Sequence, residues 1–136
     1  MKQRAGFLVA ALALAAALMA GCQTGVVGPS LTATVQNVSL QPTVAGLVGG
    51  ENVCCCHLAG QVTNMSSVAV HAELLFPAKT TNGQPAGTAI NIQPNVPAGA
   101  TRSFLAVGIT SACRELSLSQ IVADKLIRLK GLWEPD

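Results

Sequence analysis

The residues of this chain best suited to chemistry are its cysteines. Cys54, Cys55 and Cys56 are consecutive and followed by His57, which gathers soft sulfur and imidazole donors at one spot. That set suits Cu(I) or Zn if the backbone bulges to aim the side chains together. With Cys113 the same cysteines form an even set of four, which in an oxidising compartment favours disulfides. Every full pairing joins one clustered cysteine to Cys113 and leaves two clustered residues to each other. Adjacent residues bridge only with strain, and alternate residues of a strand lie about 6.5–7 Å apart, at the limit for a disulfide. One structural bridge to Cys113 is therefore expected, from Cys54 or Cys56, which share an apolar parity. It would close a loop of roughly 60 residues and stabilise by about 4 kcal/mol in the chain-entropy model.

The remaining polar groups form no catalytic set. His71 and Glu73 stand two residues apart on one outward strand face, and Glu51, Glu115, Asp124, Glu134 and Asp136 are scattered. No phosphate-binding glycine loop, nucleophile elbow or paired CxxC is present. The reading is of a non-enzyme that needs no cofactor. Composition removes another class. A chain of 136 residues with a formal charge of +2, no Tyr, one Trp and three Phe lacks both the basic footprint and the stacking rings of a nucleic-acid binder.

The N-terminus reads as an address. Lys2 and Arg4 precede an apolar run from Ala5 to Ala20, and small residues follow. Such a run would make a helix of about 24 Å, short of the roughly 30 Å bilayer core, which describes a secretory signal peptide. Met19-Ala20-Gly21-Cys22 resembles the lipobox of bacterial lipoproteins, with Met19 in place of the preferred Leu. The resemblance implies cleavage before Cys22 and acylation of that residue, and Gln23 after it implies the outer membrane, facing the periplasm. Cleavage removes Lys2 and Arg4 and brings the net charge to zero, so the positive balance belongs to the targeting segment. Residues 1–21 are thus expected to be the leader, 22–30 the acylated Cys and a flexible tether, and 31–136 the folded domain.

In that domain, period-two alternation dominates. Leu31, Ala33 and Val35 suggest a first strand, and Gln41 to Gly50 a loop. Val53 to Val62 predicts a second strand, with Cys54, Cys56, Leu58, Gly60 and Val62 on one side. Asn64 to Ser67 predicts a turn, and Val68 to Phe76 a strand. Asn82-Gly83 is a hairpin signal because both residues tolerate positive φ. Ala89 to Ile92 predicts the return strand, ended by Pro94, Pro97 and Gly99, and Arg102 to Ile109 another strand. Leu118, Ile121, Val122 and Leu126 are at helical spacing over Ser117 to Lys125, while Ile127, Leu129 and Trp133 suggest a closing strand with Trp133 as a core plug. The sum is an all-β fold, a small antiparallel β-sandwich.

Gly60-Gln-Val62-Thr-Asn64-x-Ser66, the alternation Val68 to Phe76, Gly83, Pro97-x-Gly99 and Phe104 resemble the FxLYD-type domains of bacterial lipoproteins. The Leu-Tyr-Asp of the family name is absent after Phe76. The resemblance implies an immunoglobulin-like sandwich and no shared catalytic site. The expected protein is a lipid-anchored cell-envelope adaptor or accessory subunit, held to the membrane by its N-terminal lipid and acting on an envelope protein partner, with no nucleic acid. The alternative is a periplasmic Cu or Zn protein using Cys54, Cys55, Cys56 and His57.

Overall fold

In a computed structural model of the chain, the described residues are 29–42 and 54–133. The leader, Cys22, most of the tether, the greater part of the Gln41 to Gly50 loop, Val53 and residues 134–136 lie outside them. Six strands form: β1 Ala33–Gln41, β2 His57–Asn64, β3 Val70–Lys79, β4 Pro85–Val96, β5 Thr101–Ile109 and β6 Leu126–Gly131. A 3₁₀ turn, Cys113–Glu115, and a short helix, α1 Leu118–Ala123, fill the β5–β6 connection. Among the described residues no helix is long and apolar enough to cross a membrane.

All pairings are antiparallel, in the order β1-β2-β5-β4-β3-β6. The sheet curls into two layers because β5 divides its pairing. Thr101 to Ala106 pair with β2, whereas Val107 and Ile109 pair with β4. The layers are therefore β1-β2-β5 and β4-β3-β6, a small antiparallel sandwich in which β5 belongs to the first layer and still pairs with β4. Gly108 sits at the changeover with φ 130°, and Thr88 backbone lies against the position a Cβ would take.

The alternation read from the sequence becomes burial. Val70, Ala72, Leu74, Phe76 and Ala78 of β3 face inward, as do Phe104 and Ala106 of β5. The layers meet where Phe76 and Phe104 stack with ring centroids 5.5 Å apart. Around that pair the core is built of Leu58, Val62, Ala86, Ala89, Ile109, Leu116 and Ile121, so small alanines let the layers approach. Gly60 serves the same end, since the Phe104 ring occupies the space beside it at 2.7 Å from where a Cβ would stand.

Several elements depart from the sequence expectations, each for a local reason. β2 begins at His57, so Cys54 to Cys56 precede it, and it runs through Asn64, where the sequence predicts the turn to begin. β4 extends from Pro85 to Val96 and contains Pro94, next to a register irregularity where Asn95 has φ 52°. Arg102 holds that kink by donating to the carbonyls of Pro94 and Asn95, each at 3.0 Å. At the hairpin, Gly83 alone of the Asn82-Gly83 pair takes positive φ, and its N–H donates to Thr80 at 2.9 Å. Leu126 leaves the helical face for β6, where it is exposed, and Trp133 lies half-exposed against Gly131 rather than plugging the core.

Candidate functional site

Two features of the described residues are candidates for a functional site: the cysteine cluster at one end of the sandwich and an apolar patch on its outer face. At the cluster, the backbone entering β2 runs beside the chain leaving β5, and the Cys56 N–H donates to the Ser111 carbonyl at 2.8 Å. This contact carries Cys56 inward, fully buried, to the 3₁₀ turn, where its Sγ lies 2.01 Å from that of Cys113. The bridge spans 57 residues and ties the start of β2 to the β5–β6 connection. Cys113 thus takes Cys56 and not Cys54. Cys54 is exposed because it precedes the strand whose parity would aim it inward, and it is joined to its neighbour Cys55, contrary to the expectation of a single bridge. Cys54 Sγ stands 3.6 Å from the Thr110 carbonyl oxygen.

With both bridges closed, the cluster offers no free thiolate to a soft metal. All four sulfurs are committed to disulfides, which leaves half-buried His57 as the remaining donor of Cys54-Cys55-Cys56-His57. Among the described residues no group of three or more His, Cys, Asp or Glu side chains is placed to hold a metal. His71 Nε2 and Glu73 Oε1 approach to 3.9 Å on the outer face of β3, opposite Lys130 and Arg128 of β6. Together with Leu129 these residues line an open groove of about 360 Å³, a solvated strand face without a buried acid or base.

The apolar patch lies where the two layers join. Ile90 and Val107 are direct partners across β4 and β5, and Ile92 and Leu105 occupy the next outward positions. These four side chains are 44% to 54% exposed. The row continues through Leu75 of β3 to exposed Leu126 of β6, since Ile90 pairs with Leu75 and Leu75 with Leu126. Directly opposite residues of neighbouring strands point to the same face, so the row is one stripe crossing four strands. Asn91 Nδ2 reinforces the join by donating to the Leu105 carbonyl at 2.9 Å. Arg128 and Glu73 flank the stripe in the adjacent register row.

The sequence expectations set Ile90 and Ile92 on one face without marking it as the outer one, and the surface they build with Leu105 and Val107 was missed. A signal was present. Phe104-Leu-Ala-Val107 is apolar on both parities, whereas a strand with one wet face should alternate. Compared with known proteins, the chain matches no family model, no curated protein and no solved structure.

Proposed function

We propose that this protein is a lipid-anchored adaptor of the bacterial cell envelope, which binds a protein partner through the outer face of its sandwich. The observation that carries the binding role is the stripe of Ile90, Ile92, Leu105 and Val107, continued by Leu75 and Leu126 and flanked by Arg128 and Glu73. A contiguous apolar surface with a charged border is how a protein-binding face is usually built, because the apolar centre gains from desolvation and the border sets register. The anchoring half of the reading rests on the basic, apolar leader and Met19-Ala20-Gly21-Cys22, which resemble a lipoprotein signal. Two or more acyl chains hold a protein at a membrane stably, and a tether from Gln23 to Ser30 reaches at most about 28 Å. The partner must therefore come to the membrane or sit in it. The Gly60 to Ser66 motif and the strand order support an immunoglobulin-like domain of the FxLYD type as the scaffold.

A photo-crosslinking residue placed at Leu105 or Val107, compared with one at Thr81 in the β3–β4 turn, tests the binding role in intact cells. A discrete adduct from the stripe, absent from Thr81 and lost on introducing Ile92→Lys, is expected. Equal labelling from both positions, or none from the stripe, overturns it.

A further inference from the structure

We propose that the Cys54–Cys55 pair is a thiol–disulfide exchange site that accepts electrons from a dithiol, while Cys56–Cys113 a residue away is a structural bridge that does not take part. The division follows from position. Cys56 is fully buried and Cys113 is 8% exposed, whereas Cys54 is exposed and Cys55 half-buried. Exchange proceeds by attack of a thiolate along an open path to sulfur, so the exposed pair is reachable and the buried one is not.

The loops closed by the two bridges differ just as much. Cys56–Cys113 constrains 57 residues of the unfolded chain, whereas Cys54–Cys55 encloses only its own two residues and holds no distant elements together. A bridge with no structural task at the surface is free to open and close while β2, anchored by Leu58 and Val62 in the core, stays in place.

The chemistry balances with one dithiol. Its thiolate attacks Cys54 Sγ, the exposed sulfur, forming a mixed disulfide and releasing the Cys55 thiolate, which takes up a proton. The second thiol of the reductant loses its proton and attacks its own sulfur of the mixed disulfide, releasing Cys54. Two electrons and two protons pass to the pair, and the dithiol becomes a disulfide. The Thr110 carbonyl oxygen, 3.6 Å from Cys54 Sγ, is in place to accept the S–H of the reduced residue.

The test is a dithiothreitol titration of the full mature chain, purified in detergent without reductant. Released thiols are alkylated under native conditions and located by fragment mass spectrometry. Cys54 and Cys55 are expected to be labelled at dithiothreitol concentrations at least about tenfold below those that label Cys56 and Cys113. The melting temperature should shift by no more than about 2 °C when the first pair opens. A Cys54→Ser/Cys55→Ser variant should fold and lose the low-concentration step. Four thiols released together, Cys54 and Cys55 isolated already as thiols, or a low-concentration step that persists in the double variant overturns the proposal.

Discussion

At the residue scale, Asn64 ties separate segments of the fold together. It is buried, and its Nδ2 donates to the carbonyls of Val68, Val96 and Pro97 at 2.8, 2.9 and 3.2 Å. Its Oδ1 accepts the Ser66 N–H at 2.9 Å, and the Ser66 hydroxyl in turn bonds both backbone groups of Thr32. One side chain thus joins the β2–β3 turn to the β4–β5 turn and, through Ser66, to the approach to β1. Asn64→Ala strands several buried carbonyls and is expected to cost about 2–4 kcal/mol in urea unfolding, against about 1 kcal/mol for Ser66→Ala. The two disulfides should separate in the same assay. Cys113→Ser is expected to cost about 2–4 kcal/mol, since it frees a long loop of the denatured chain and leaves a buried thiol at Cys56.

At the element scale, the decisive feature is the changeover in β5. A strand that serves two layers must twist sharply, and Gly108 supplies the bend with a φ of 130° that side chains rarely adopt. Gly108→Ala combines a disfavoured backbone angle with crowding against Thr88, so a loss of about 1–3 kcal/mol is expected by chemical denaturation. The short helix before β6 has a simpler task. α1 is too short to be stable alone and is held by fully buried Ile121, while Gln120 accepts the Lys79 N–H and bonds to Asp124. Ile121→Ala should cost about 2–4 kcal/mol and release the helix, seen as faster amide exchange over residues 118–123.

At the scale of the whole molecule, a domain with a thin, alanine-rich core presents an apolar stripe and two sheet edges among the described residues. Arg128 and Lys130 on edge strand β6 and the irregular pairing between Gln36 and Ser39 of β1 discourage further strand addition. The face, not the edge, is then the surface on which the proposed partner would dock. Ile92→Lys with Leu105→Lys should leave stability within about 0.5 kcal/mol, because both side chains are already half in water, while abolishing stripe-dependent crosslinking. Cys22→Ser tests the anchor separately, with the expected outcome that the protein no longer incorporates labelled palmitate and moves from the detergent phase to the aqueous phase on partitioning.

Read alone, the sequence determined the all-β class, the antiparallel hairpins and the inward residues of β3, whose other parity carries His71 and Glu73. Side-chain alternation and turn chemistry are local properties with a period of two, and they survive without knowledge of the partner strand. It also raised the disulfide question and narrowed the answer to two candidates. Tertiary structure alone decided that Cys113 takes Cys56, because that choice depends on where β2 begins relative to the chain leaving β5, a contact between segments 57 residues apart. It decided the role of Asn64 for the same reason, since two of the three carbonyls it satisfies, those of Val96 and Pro97, lie 32 and 33 residues away. It decided, finally, that Ile90, Ile92, Leu105 and Val107 face solvent together. Alternation says that two residues share a face, but only the packing of one layer on the other says which face is wet.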